Sequence, residues 1–244
     1  MTENAFEAIA GTADLLLLCD HASNALPPGM GHLGLAPELF RTHIAHDIGA
    51  AEVTRALAHR YGAPAILGRW SRLLIDLNRG ADDPTLVMKL SDGTIIPGNR
   101  NAGPDEVARR IAAYHAPYHA AIRAELDRMG PRAVVISMHS FTPAWKKAPR
   151  KWEVGVLYDR DTRLAAPLMA RLARAGFAVG DNEPYSGALE GDTLWQHGTR
   201  RGLPHVLVEM RQDLVAAPRM ALDFAARLKP ILDLALADLN NSQK

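Results

Sequence analysis

Three apolar runs in this chain end on side chains that can do chemistry. Leu15-Leu16-Leu17-Leu18-Cys19-Asp20 runs into His21, Val134-Val135-Ile136-Ser137-Met138 into His139, and Val206-Leu207-Val208 into Glu209. Each run has the length and branching of a buried strand, so each delivers its polar residue where open α/β sheets gather ligands. Two neutral imidazoles fixed by rigid backbone could converge on one ion at about 2.0–2.1 Å, the usual zinc–nitrogen distance. Glu209 is a different kind of group, because an ionised carboxylate among Val206, Leu207, Val208 and Met210 is costly without a partner or a task. Beside a metal-activated water it would take up a proton as general base and return it as general acid. The structural alternative is a buried ion pair with Arg211, Arg200 or Arg201.

A catalytic zinc usually takes one more protein ligand. In His43-Ile44-Ala45-His46-Asp47 the candidates His43, His46 and Asp47 fall at i, i+3 and i+4, neighbouring positions on a helix. Asp47 also stands where it would cap a helix beginning at Ile48. Arginine, with its planar cationic fork, is the side chain that matches a carboxylate. Arg79, after Asn78 at a predicted strand end, is the first candidate, ahead of Arg69, Arg72 and Arg211. His115 and His119 are i, i+4 on a predicted helix and could by spacing share a metal. The expectation for them is a substrate or supporting contact at His119 and a surface position for His115. A metal-free alternative pairs Cys19 with His21 on one strand face as thiolate and imidazole, although a strand-embedded cysteine is usually a small buried hydrophobe.

The elements that must position these residues follow from hydrophobic periodicity and from Gly and Pro punctuation. Strands are predicted at Leu15–Cys19, Ala65–Leu67, Leu73–Leu77, Ala133–Met138, Val154–Tyr158, Ala178–Asp181 and Val206–Met210. A loop is expected over Asn24–Gly34, a helical turn at Pro37–Phe40, and a surface excursion with at most a small hairpin over Gly80–Pro104. Helices are predicted over Ile48–Tyr61, Pro104–Met129 with a kink at Pro117, Arg163–Ala175, Leu194–Arg200 and Pro218–Leu239. The alternation implies an α/β fold, a mostly parallel central sheet with helices on both faces, in a single domain over residues 1–244.

Bulk properties narrow the function. The 244 residues are 48% hydrophobic and 23% charged, with Lys+Arg 28 against Asp+Glu 27 and a net charge of +1. Scattered basic residues give no footprint for nucleic acid or an anionic membrane, and no apolar run reaches the roughly 18 residues that span a bilayer. Cys19 is the single cysteine, which fits a reducing compartment. With an acidic amino terminus that lacks a secretory pattern, this leads to the expectation of a cytoplasmic protein. The oligomeric state is not legible.

Several motifs then carry a resemblance. Cys-Asp-His-Ala-Ser-Asn from Cys19, the His46-Asp47 pair, Ile-Asp-Leu-Asn-Arg at Ile75–Arg79 and Pro-Tyr-His at Pro117–His119 stand in order along the chain. Ser-Met-His-Ser around His139, Asn-Glu-Pro-Tyr-Ser-Gly at Asn182–Gly187 and Val-Glu-Met-Arg at Val208–Arg211 continue the series. Together they resemble the N-formylglutamate amidohydrolase family, over about Leu15 to Asp213. The resemblance implies a fold similar to zinc-dependent exopeptidases and N-acetylmuramoyl-alanine amidases. It implies one zinc ion held by His21, an intermediate acid and His139, with Glu209 as the catalytic acid. Asp47 stands where the amidases use Glu, and its shorter side chain leaves His46 as a competitor. The implied substrate is a small acidic N-acyl amino acid, N-formyl-L-glutamate first, cleaved to formate and the free amine, with Arg79, Asn78, Arg211, His119 and Tyr185 as substrate contacts. The rival readings are a cell-wall amidase and a catalytically inactive ligand-binding domain on the same fold.

Overall fold

Short runs of leucine and β-branched residues form one seven-stranded sheet, because each is long enough to cross a core and too short for a stable helix. The computed structural model describes residues 4–242. In chain order its first half contains β1 Phe6–Ile9, β2 Leu15–Cys19, α1 Ala50–Tyr61 and β3 Ala65–Gly68. The small hairpin β4 Leu90–Ser91 and β5 Thr94–Ile95 follows, then α2 Pro104–Arg110 and α3 Ala116–Met129. The second half contains β6 Val134–Phe141, the hairpin β7 Ala144–Trp145 and β8 Ala148–Pro149, and β9 Val154–Leu157. It closes with α4 Ala165–Arg174, β10 Val179–Asp181, α5 Thr193–His197, β11 His205–Arg211 and α6 Pro218–Ser242.

Strand order is β1-β3-β2-β6-β11-β9-β10. β3, β2, β6 and β11 run parallel, β9 and β10 run antiparallel to β11, and β1 is an antiparallel edge. The chain leaves β2 for β3 on one side and returns to β6 on the other, which makes the gap beyond β2 and β6 a topological switch point. Alternation sorts the side chains. Leu17, Cys19, Ile136, Met138, Val206, Val208 and Met210 pack with α1, α4 and α6. Leu16, Leu18, Val135, Leu157 and Leu207 pack on the other face with Tyr118, Ile122 and Leu126 of α3. The same period of two puts Asp20, Ser137, His139 and Glu209 on this second face. No helix among the described residues is long and apolar enough to cross a membrane.

Several expectations are corrected. Leu73–Leu77 is buried but joins no strand. Its backbone is held by isolated bonds instead of a ladder: Asn99 Nδ2 donates to Leu73 O (2.7 Å), Arg110 Nη1 to Leu74 O (2.7 Å) and the Asp76 N–H to Leu86 O (2.8 Å). α1 begins at Ala50, not Ile48, because Gly49 turns the chain at φ 80°, and a Cβ there would collide with the Val215 carbonyl oxygen. The kink expected at Pro117 is a π-turn, Ile111–His115, closed by the Ala116 N–H on Ile111 O. Pro117 has no N–H to continue the α ladder. β6 extends to Phe141, so His139 lies within the strand and not after it.

Candidate metal centre and active site

His21 follows β2, His139 projects from β6, and Asp47 stands in the turn before α1. Among the described residues these three form the one group of ligand atoms drawn together closely enough for a metal ion, all within 4.8 Å of one another. Asp47 Oδ2 is 2.8 Å from His139 Nδ1 and 3.3 Å from His21 Nδ1. The other ring nitrogens are already committed: His21 Nε2 donates to Asp76 Oδ1 (2.7 Å) and His139 Nε2 to Asp20 Oδ2 (2.9 Å). A carboxylate behind each imidazole orients the ring and turns its Nδ1 to the front, the arrangement that supports metal-binding histidines. Both Nδ1 atoms hydrogen-bond the Asp47 carboxylate, and against burial the surrounding carboxylates hold both imidazoles above their ordinary value, so a cation bound here would displace their protons. A set of two imidazoles and one carboxylate suits zinc.

The supporting carboxylates are themselves well held. Asp20 accepts from Tyr118 (3.0 Å) and Thr193 (2.6 Å) on Oδ1, and from Ser137 (3.0 Å) and His139 on Oδ2. Burial opposes its charge, but the His139 hydrogen bond and the neighbouring imidazoles hold its carboxyl well below the usual range. Asp76 is buried too, and desolvation opposes its charge, but Arg72, paired with it at 2.7 Å, together with His21 and Arg79 holds its carboxyl well below the usual range. Arg72 also lies 3.7 Å from Asp47 Oδ1.

Glu209 faces His139 across the β6–β11 ladder, where the two are register partners. Its Oε2 is buried without a hydrogen-bond partner among the described residues. Burial pushes its carboxyl up to about 7, against the pull of His139. The ion-pair alternative is absent: Arg211 pairs with Asp213, Arg201 with Asp127, and Arg200 lies over Trp195. Gly155, the register partner on β9, lets the Glu183 carbonyl pack close beside Glu209, and a Cβ there would collide with that oxygen.

These groups open into a cavity of about 270 Å³ lined also by His43, Arg72, Asn78, Arg79, Tyr185 and Asp192. Asn78 Oδ1 accepts the Thr193 N–H (3.1 Å), which leaves its amide NH2 as the donor at the wall. Arg79 is half-buried, its Nε 3.9 Å from Asp83. Tyr185 lies at the exposed rim under the Arg150 guanidinium. Asp192 caps α5 through the Trp195 N–H (2.7 Å), and burial pushes it up to about 7.

The other sequence candidates lie elsewhere or are held by other partners. His46 lines a separate cavity with Glu52 and is outside the ligand group. Asp47 makes no helix cap. His43 pairs with Asp92 of the β4–β5 hairpin (3.1 Å). Arg211 lies outside the cavity wall and donates to Asp213 and to the Trp152 carbonyl. His119 is buried behind that wall, and His115, expected at the surface, is buried as well. Cys19 sits in the opposite core, where burial raises its thiol well above the ordinary range, so it is no nucleophile. Sequence reasoning missed Asp76, whose signal was an acid inside the apolar Ile75–Leu77 stretch. Asp20, next to His21 in sequence, holds His139 instead.

A family model described as N-formylglutamate amidohydrolase matches residues 13–216. Among solved structures, a gene product of Agrobacterium tumefaciens is similar at 33% identity over 98% of this chain and 97% of its own, with a TM-score of 0.92. An N-formylglutamate amidohydrolase from Ralstonia eutropha is similar at 21% identity over 97% of each chain, with a TM-score of 0.73, a likeness of fold. A search of curated proteins returns no match.

Proposed function

The chain belongs to the N-formylglutamate amidohydrolase family and is thus an amidohydrolase, and from that premise we propose a zinc-dependent hydrolysis of the amide of an N-acyl amino acid, N-formyl-L-glutamate first. The observation that carries the reading is one cavity in which two carboxylate-backed imidazoles and Asp47 face one another beside an unpartnered, near-neutral Glu209. His21, Asp47 and His139 would hold the ion. When bound, zinc supplies Lewis acidity towards the acyl carbonyl and acidifies water.

Glu209 moves the protons in this reading. A carboxyl poised at about 7 accepts a proton from the attacking water and hands it to the leaving amine nitrogen, since its two forms are close in energy at neutral pH. Arg79 and the Asn78 amide receive the substrate carboxylate, one as a planar cation and the other as a neutral donor. Arg72, braced by Asp76 and Asp47, presents positive charge where the carbonyl oxygen becomes negative. Tyr185 borders the entrance.

The test joins metal analysis of the purified protein to formate release from N-formyl-L-glutamate and a panel of N-formyl and N-acetyl amino acids. One zinc per chain, and turnover lost on chelation, are expected. Turnover that survives complete removal of metal overturns the reading.

A further inference from the structure

Behind the Asn78–Arg79 wall lie three buried histidines, His115, His119 and His197, that the proposed chemistry does not use. His115 Nε2 is 2.8 Å from the Arg79 carbonyl and His119 Nε2 is 3.1 Å from the Leu77 carbonyl. His119 Nδ1 is 2.9 Å from His197 Nε2, and the two rings stack at 5.1 Å. His197 Nδ1 is buried with no hydrogen-bond partner among the described residues. A carbonyl only accepts, so His115 and His119 carry a proton on Nε2. Burial lowers His119 to about 3 and His197 to about 4, which keeps both neutral. His119 Nδ1 is therefore a bare acceptor and His197 Nε2 is its donor. The series has one direction and ends on an unused lone pair.

Both carbonyls belong to the three-residue segment Leu77-Asn78-Arg79, which has no strand partner. Its centre is held separately, by Asp76 Oδ1 on the Asn78 N–H (2.9 Å) and by the Thr193 N–H on the Asn78 side chain. The π-turn at Ile111–His115 ends directly at His115, and His119 stands one helical turn on. We propose that His115, His119 and His197 are positioning residues that grip the carbonyls flanking Asn78 and so aim Asn78 and Arg79 at the substrate carboxylate. The inference rests on the reading that Asn78 and Arg79 bind that carboxylate. It makes substrate binding, and not proton transfer, the quantity these histidines control.

The test compares His115→Phe, His119→Phe and His119→Gln with the wild type. Phenylalanine keeps the ring without the donor, whereas glutamine keeps an amide N–H near the position of Nε2. Steady-state kinetics on N-formyl-L-glutamate and calorimetric binding of the product glutamate are measured on the metal-loaded enzyme. Each phenylalanine variant is expected to raise KM and the glutamate Kd about ten-fold, with kcat within about three-fold, and His119→Gln to restore most of the binding. The His115→Phe effect should vanish in an Arg79→Met background, as coupled residues require. Full additivity with Arg79→Met, or a loss confined to kcat, overturns the proposal. So does an Nδ1-protonated His115 or His119 in 15N spectra of the wild type, a readout that needs no variant to fold. A wild type that binds glutamate through these residues but releases no formate would sink the proposed function and leave this inference standing.

Discussion

Replacing Glu209 with Gln should make the protein slower and more stable at once. The side chain keeps its size but loses the ability to accept a proton, and general acid–base catalysis contributes about 10²–10⁴-fold, so kcat should fall by that factor. Stability moves the other way. Burial raises the Glu209 carboxyl from the ordinary 4.5 to about 7, and at about 1.4 kcal/mol for each tenfold change in proton affinity the penalty is on the order of 3 kcal/mol. Between pH 4.5 and 7 the folded chain retains a proton that the unfolded chain has released, so the fold loses stability as pH rises through this window and the loss is complete above about 7. Gln escapes that loss. Chemical denaturation of chelator-stripped wild type and Glu209→Gln should show the variant more stable at pH 8 and the two converging near pH 4.5. Turnover within ten-fold of wild type would remove Glu209 from proton transfer, and equal stability at pH 8 would refute the account of a strained buried carboxyl.

Asp76→Asn leaves His21 its place but removes the charge behind Nε2, and zinc affinity by competition with a chelating dye should weaken about 10- to 100-fold. Asp20→Asn should act alike through His139. His197, lowered to about 4, contributes stability that is intact above its unfolded value near 6.5 and is lost as pH falls through about 4, up to on the order of 3 kcal/mol. Denaturation midpoints at pH 7.5 and 4.5 should therefore differ less in His197→Gln than in the wild type. Gly155→Ala drives a methyl into the Glu183 carbonyl beside Glu209, and a loss of about 1–3 kcal/mol together with reduced kcat is the expected result.

The sheet and the meeting of His21 with His139 at its end were legible because buried strands write unbroken apolar runs. β2, β6 and β11 each announced themselves by Leu and Val, and the polar residue ending each run was then conspicuous. Long-range partners were not legible. Nothing near Asp76 in sequence says that it meets His21, and Asp20 could be assigned to the adjacent His21 when tertiary packing gives it to His139. Leu73–Leu77 misled because burial alone produces an apolar run, whether backbone groups are met by a ladder or by Asn99 and Arg110. The β7–β8 hairpin was missed because its turn places Lys146 and Lys147 at positive φ, where Asn or Gly is the usual signal. β1, four residues at an edge, left too weak a pattern to read.

The pairing of His139 with Glu209 as rungs of one parallel ladder divides the molecule's labour. Their separation is set by peptide spacing, so neither can drift when surrounding side chains change, and slippage of β11 by one residue would turn Glu209 into the opposite core. The rest of the cavity wall comes from connections outside that ladder: the stretch around Arg79, the segment at Tyr185 and the approach to α5. Loop exchange in this scaffold would thus reshape the cavity wall while leaving the His139–Glu209 pair unaltered.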